Sequence, residues 1–190
     1  MKYFILCFVT MIAISANPIY ASTITSTFND DAEGWTLNGG ILTHLAAGGN
    51  PGGHLTMEDN ISGHMNTVAP ETFLGDLSAF DGGLLSLDFI LLAKNSNYDL
   101  PRFGTITITS PSVSASLDLV SESPAGFWAG FWTTYTASLD AASWGKTQLA
   151  WDSILSNVTQ ISIVTDPFNR LEDTIGFDNF KIVDETIVNP

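Results

Sequence analysis

Basic residues are scarce in this 190-residue chain, which has 6 Lys and Arg against 20 Asp and Glu and a formal net charge of −14. Such a surface repels phosphate backbones and anionic lipid headgroups, so nucleic acids and anionic membranes are not expected partners. Strong negative charge suits a protein that works in the presence of divalent cations or salt, and a need for solubility accounts for it equally well.

Cysteine is nearly absent, since Cys7 is the only one. It lies in the N-terminal segment, where one Lys precedes an apolar run of about a dozen residues and a small residue, Ala21, as in a secretory signal. The run is too short for a membrane span. We therefore predict a signal peptide over residues 1–21 and a secreted, extracellular or periplasmic product over residues 22–190 with no membrane span and no disulfide.

Short segments rich in Thr, Ile and Leu alternate with Gly-, Asn- and Pro-rich turns through the rest of the chain. In residues 84–93, Leu85, Leu87, Phe89 and Leu91 share one face, and similar alternation recurs in residues 104–110, 132–140 and 160–166. Period-two patterning indicates half-buried antiparallel strands. The spacing of the turns predicts an all-β fold, an antiparallel β-sandwich forming one domain.

One segment has helical periodicity instead. Trp151, Ile154, Leu155 and Val158 recur at helical spacing, and Thr147 stands where an N-cap would be. We predict one short helix at an end of the sandwich and a possible further helical turn within residues 71–80.

The stretch VAPETFLGDLSAFDGGLLSLDF, residues 68–89, resembles the core of the laminin IV type A domain, also called the laminin B domain. The later segments WTTYTASLD, ILSNVTQISIV and GFDNFKI resemble its following strands in order and spacing. The resemblance spans about residues 63–184 and extends to bacterial secreted members, which share a galactose-binding-like jelly roll with carbohydrate-binding modules. It implies a secreted, non-enzymatic module for adhesion or extracellular-matrix contact, including contact through glycans.

The acidic stretch FNDDAEGW, residues 28–35, predicts a second feature, a cation site. An EF-hand is excluded because Gly40 stands where the bidentate Glu should be and the flanking text is strand-like. In the closing strand, Asp178 shares parity with Phe180 and Ile182, which predicts an inward-facing carboxylate that needs a partner. Related sandwiches hold a structural calcium ion between their first and last strands, so the resemblance suggests a Ca²⁺ site. The alternative is a solvated acidic turn with Asp178 bonded to backbone N–H groups. The predicted ligands are Asp30, Glu33 and Asp178.

An aromatic-rich loop, SPAGFWAGFW, precedes the strand near residue 133. Exposed aromatic faces bind the apolar faces of sugar rings, so a glycan site is predicted here, and folding of the rings onto the core is the alternative. Trp132, which belongs to the family pattern, is predicted to pack in the core. The predicted ligand-binding residues are Phe127, Trp128 and Phe131.

Catalytic motifs are not evident in the sequence. His44, His54 and His64 lack metal-ligand spacing and are predicted to be surface residues, and no Gly-x-Ser-x-Gly elbow is present. We therefore expect no enzyme. Two alternatives stay open: a glycoside hydrolase or lyase on a related jelly roll, and a purely structural envelope or biofilm component.

Overall fold

The computed structural model describes residues 22–60, 64–93, 103–119, 130–166 and 173–184. These residues form eleven strands, one α-helix and two single 3₁₀ turns that lie between the fifth and sixth strands. The elements are β1 (Thr23–Thr25), β2 (Thr36–Asn38), β3 (Ile41–Gly49), β4 (Gly52–Glu58), β5 (Asn66–Val68), 3₁₀ turns Glu71–Phe73 and Ser78–Phe80, β6 (Leu84–Ala93), β7 (Thr105–Thr109), β8 (Ser114–Asp118), β9 (Thr133–Ser138), α1 (Gln148–Leu155), β10 (Gln160–Val164) and β11 (Thr174–Val183).

The strands form two antiparallel sheets, which confirms the predicted β-sandwich. The first sheet has the order β3-β4-β11-β6-β9, with β1 added against β11. The second sheet has the order β2-β5-β10-β7-β8. Neighbours in the sheets are mostly distant in sequence, so the pairings are set by tertiary packing rather than by hairpins.

Alternate residues of the paired strands face each other across the sandwich and form one continuous core. The predicted apolar face of β6 is confirmed, because its four alternating residues are buried together with those of β7, β10 and β11. Aromatic rings fill the centre, with Trp35 within 5.0 Å of Phe177 and 4.9 Å of Phe180 between ring centroids. Close tilted and edge-on contacts of this kind add to the free energy gained by burial.

The first and last described strands lie side by side, as the cation hypothesis requires. Thr23 pairs with Val183, and Thr25 pairs with Lys181, in antiparallel register. The chain then reaches Phe28, whose ring is fully buried against Phe177. The acidic stretch therefore begins at a residue anchored in the core beside β11.

The predicted helix is present as α1. The Thr147 hydroxyl oxygen accepts a hydrogen bond from Ala150 N at 3.3 Å, as expected of an N-cap. Its buried face includes Trp151, whose indole N–H donates to Asp81 at 2.8 Å and whose ring stacks on Trp144 at 5.4 Å. These contacts fix the helix at one end of the sandwich.

The prediction for Trp132 is wrong. Trp132 is only partly buried and does not belong to the core cluster. Tyr135 and Ala137 face the core in β9, and Trp132, three residues before Tyr135, falls on the opposite parity. Its ring instead lies on the outer face of the first sheet, as described below.

No helix within the described ranges is long and apolar enough to cross a membrane. The predicted signal peptide, residues 1–21, lies outside those ranges.

Replacing Phe177 with Ala tests the importance of the aromatic core. Phe177 contacts Phe28, Trp35, Phe89 and Phe180, so its loss should lower the free energy of unfolding by about 3–5 kcal/mol. The measurement is denaturant unfolding followed by circular dichroism. Leu149→Ala, at a helix position that is 78% exposed, is the control and should change the value by less than about 0.5 kcal/mol. Equal effects of the two substitutions would contradict the assigned core.

Candidate functional site

The connection between β3 and β4, residues Gly48–Gly53, lies directly against the middle of β11. The Asn50 main-chain N–H donates to Asp178 Oδ2 at 2.6 Å, and the Asn50 side chain donates to Asp88 Oδ2 at 3.0 Å. A side chain at Gly49 would place its Cβ 2.7 Å from Asp178 Oδ2. The glycine therefore allows the connection to close over the carboxylate.

Asp88 and Asp178 stand directly opposite each other on β6 and β11. Both are buried, with 4% and 0% of their surface exposed. Asn179 supplies further donors: its main-chain N–H reaches Asp178 Oδ1 at 2.7 Å, and its side chain reaches Asp88 Oδ2 at 2.7 Å. Its side chain also donates to the Asn50 carbonyl oxygen. Within the described residues, the hydrogen-bond donors to the two carboxylates are amide N–H groups.

The parity predicted for Asp178 is wrong, although its burial is confirmed. A register shift separates Asp178 from Lys181, and Asn179 within it has φ of 51°. This bulge changes the phase of the strand, so that Phe177 and Phe180 both face the core while Asp178 faces the outer side with Asp88. Asp178 is buried by the β3–β4 connection, not by the sandwich interior.

Burial raises the pKa of Asp178 above its usual value, and the negative charges of Asp88 and Glu33 raise that pKa further. Hydrogen bonds from the main-chain N–H groups of Asn50 and Asn179 oppose the shift. Like charges placed opposite each other on a sheet are destabilising. The site formed by Asp88, Asp178, Asn179 and the β3–β4 connection, called the junction below, therefore concentrates negative charge in a buried place, which a cation would neutralise.

The acidic turn contributes Glu33 to this junction. Glu33 Oε1 accepts the main-chain N–H groups of Thr27 at 3.1 Å and Phe28 at 2.6 Å, which folds the side chain back toward β1. Asp31 Oδ1 accepts from Glu33 N at 2.6 Å and stabilises the turn. Asp30 is exposed. Of the three predicted ligands, Asp178 is buried, Glu33 is near enough for its charge to raise the pKa of Asp178, and Asp30 lies at the surface.

A calcium site here would need oxygen donors other than carboxylates. Among the described residues, no three His, Cys, Asp or Glu side chains are grouped so as to hold a metal ion. Calcium accepts six to eight oxygen ligands, including main-chain and amide carbonyls. The junction offers such oxygens on the β3–β4 connection and on Asn29, whose Oδ1 lies 3.5 Å from Gly53 N. A fit to a hard cation therefore depends on amide and carbonyl oxygens, of which the Gly48 and Asn50 carbonyls already accept hydrogen bonds.

Two aromatic residues directly precede β9, and one of them contacts the β3–β4 connection. Phe131 has 67% of its surface exposed. Trp132 Nε1 donates to the Gly48 carbonyl oxygen at 3.0 Å, so the indole is tied to the same connection that covers Asp178. The other two predicted ligand-binding residues, Phe127 and Trp128, lie outside the described residues.

The three histidines differ in environment, and the surface prediction is wrong for His54. Its side chain is buried, and its ring meets the Trp132 ring edge-on at 5.4 Å. His44 Nε2 lies 2.7 Å from the Phe28 carbonyl oxygen, which joins β3 to the acidic turn. His64 is exposed and lies 3.4 Å from a carboxylate oxygen of Asp166.

Sequence reasoning missed four residues of this region: Asp88, Asn50, Asn179 and Trp132 as a surface residue. Asp88 could have been found, since it is the acidic residue between Leu87 and Phe89 in a strand whose apolar parity is clear. Nothing local marks the two asparagines, because they act across sequence separations of 38 and 91 residues.

Comparison with solved structures places this architecture among known folds. The L4b domain of human laminin α2 superimposes with a TM-score of 0.53 at 13% identity, over 69% of this chain and 79% of that one. The predicted resemblance is confirmed for the fold. The CBM22-1 xylan-binding domain from Paenibacillus barcinonensis gives a TM-score of 0.54 at 10% identity, over 86% and 95% of the two chains.

An exo-β-agarase gives a TM-score of 0.57 at 16% identity over 86% of this chain. The chain spans only 24% of the agarase. No family model and no curated protein matches the chain in sequence. At these identities the likeness concerns the fold alone: an all-β jelly-roll sandwich.

Acid should weaken the fold through His54. Burial lowers the pKa of His54 below its usual value of 6.5, with a smaller opposing effect of the Ala47 carbonyl and a further lowering by His44. As the pH falls below 6.5, the unfolded chain takes up a proton at this position before the folded chain does, so stability present above pH 6.5 is lost.

Urea unfolding between pH 7 and pH 5 measures this loss. In His54→Gln, which keeps an uncharged polar side chain, the fall in unfolding free energy over this interval should be smaller than in the wild type. An identical pH dependence in both proteins would contradict the role of His54.

Proposed function

We propose that the chain is a secreted, non-enzymatic binding module that recognises glycans, in the setting of cell adhesion or extracellular-matrix contact. The observation that carries the proposal is the exposed Phe131 side chain, which directly precedes Trp132, whose ring lies on the outer face of the first sheet. Aromatic rings at such a place bind the apolar faces of sugars, and the burial of apolar surface drives binding. Similarity to a xylan-binding domain supports the proposal at the level of the fold.

Non-enzymatic function is supported by the state of the paired carboxylates. A glycoside hydrolase needs two carboxyl groups that reach the scissile bond from opposite sides. Asp88 and Asp178 are close together, but both are buried and bonded to amide N–H groups. They are arranged to hold the β3–β4 connection rather than to meet a substrate.

A glycan array with the purified protein tests the proposal, and titration calorimetry then gives the affinity for the strongest ligand. We expect binding to at least one glycan class, and Phe131→Ala and Trp128→Ala should weaken it because each removes an aromatic contact surface. Leu149→Ala, an exposed apolar residue on α1, should leave binding unchanged. Absence of binding to every glycan would contradict this function, whereas release of sugar products from polysaccharides would indicate an enzyme.

We further propose that the junction binds calcium. The side-chain oxygens of Glu33 and Asp178, together with carbonyl oxygens of the β3–β4 connection, would hold the ion. Its charge would offset the repulsion that raises the pKa of Asp178, and it would stabilise the fold by joining the acidic turn to β11. Asp30, predicted as a third ligand, is exposed and is not needed in this arrangement.

Thermal unfolding in calcium chloride and in EDTA measures this effect. Calcium at about 100 times its Kd should add about 2.7 kcal/mol to the unfolding free energy, and magnesium should give less because it requires a smaller octahedral site. Glu33→Gln and Asp178→Asn should abolish the gain, while Asp30→Asn, the matched control in the same turn, should keep it. A wild-type melting temperature that is the same in calcium and in EDTA would contradict calcium binding.

A further inference from the structure

The outer face of the first sheet is unusual around Gly176 because a tryptophan ring covers a glycine there. A Cβ at Gly176 would come within 2.9 Å of Cη2 and 3.3 Å of Cζ2 of Trp132. The six-membered part of the indole therefore rests on the backbone of β11, in the space that a side chain would occupy. The ring therefore packs on the outer surface of the sheet and not in the core.

Three contacts hold the Trp132 ring in this position. Its N–H donates to the Gly48 carbonyl oxygen at 3.0 Å, its ring rests over Gly176, and the buried His54 ring meets it edge-on at an interplanar angle of 84°. These contacts come from β3, β11 and β4, respectively. A ring fixed from three strands loses little further conformational freedom on binding a ligand, which favours affinity.

Threonine residues lie on the same face, on the β4 side of Gly176, whereas its neighbour on β6 is the apolar Ile90. Thr56 is paired directly with Gly176, and Thr43 is paired with Thr56, so the two continue the row that begins beneath the indole. On the side toward β9, Thr134 is paired with Asp88 and is exposed. An apolar plate bordered by hydroxyl groups matches a pyranose ring, which has apolar C–H faces and a rim of hydroxyls.

The charge of this face restricts the kind of sugar. Asp88 and Asp178 lie in the neighbouring row, and Glu58 is exposed at the end of β4. Lys181 is the one basic residue that the described part of this sheet carries, and it lies beyond the bulge, opposite Ser86. A carboxylated or sulfated glycan would meet the exposed charge of Glu58, and also that of Asp88 and Asp178 when the junction holds no cation.

We propose that the outer sheet face around Trp132 is the ligand-binding surface and that it takes a neutral glycan. Trp132 is the stacking platform, and Thr43, Thr56 and Thr134 supply polar contacts beside it. The proposal rests on the glycan-binding function given above. It places the main sugar contact at Trp132 on the sheet, and not at the predicted residues Phe127, Trp128 and Phe131. The site is distinct from the junction, although the β3–β4 connection contacts both.

The experiment compares two adjacent aromatic residues. Calorimetry is carried out with neutral gluco-, xylo-, manno- and galacto-oligosaccharides, with oligogalacturonate and with a sulfated oligosaccharide, first on the wild type and then on Trp132→Ala, Trp132→Phe and Phe131→Ala. We expect a neutral oligosaccharide to bind most tightly, and Trp132→Ala to raise its Kd at least about tenfold, as for other aromatic hot spots. Phe131→Ala should have the smaller effect.

A ligand-induced change in tryptophan fluorescence gives a second readout that does not depend on Trp132→Ala remaining folded. The change is measured in a Trp128→Phe background, where it should be present with Trp132 intact and absent once Trp132→Phe, which keeps a ring in place, is added; melting temperatures are measured alongside. Persistence of the change after Trp132→Phe in this background, an unaltered Kd in a folded Trp132→Ala, or preference for an acidic glycan would overturn the site while leaving glycan binding intact. Failure of the wild type to bind any glycan would overturn the function itself.

Discussion

The arrangement of the first sheet depends on β11, which lies between β4 and β6 and carries β1 along part of its length. Antiparallel pairing on both sides fixes the register of this strand over residues 174–177 and 181–183. Phe177 consequently reaches the aromatic core, Gly176 lies under an indole ring, and Asp178 meets Asp88 across the sheet. A strand directs successive side chains to opposite faces. Phe177 therefore packs in the core, while Gly176 and Asp178 on either side of it lie on the outer face, one under the indole and the other in the junction.

The bulge at Asn179 is what makes the junction compatible with the core. Without an extra residue, Asp178 and Phe180 would share a face, and either a carboxylate would enter the core or a phenyl ring would leave it. The bulge lets both adjoining aromatic residues, Phe177 and Phe180, remain buried. Its own amide groups then hydrogen-bond the two aspartates. Isolated carboxylates at this depth would otherwise destabilise the fold.

The β3–β4 connection links the two regions for which we propose binding. Asn50 contacts both aspartates of the junction, and two residues earlier Gly48 accepts the Trp132 indole N–H. A cation that orders this short segment would also order the ring that rests against it. The sandwich itself does not decide between a laminin domain, a xylan-binding domain and part of an agarase, all of which share it. Function on this architecture is set by a few surface groups, not by the fold.

The sequence alone determined the class of fold, because period-two apolar patterns and turn residues are local properties. The alternation in β6, the N-cap at Thr147 and the order of the laminin-like segments were all sufficient for that purpose, and the first and last strands are adjacent as expected. Only the tertiary structure decided the face of Asp178 and the contacts of the Trp132 ring. The face of Asp178 depends on a bulge that local parity does not reveal. The parity of β9 already directs Trp132 outward, but its contact with Gly176, 44 positions away along the chain, is not a local property. Contacts between residues so distant in sequence arise from strand order, which the spacing of apolar residues does not encode.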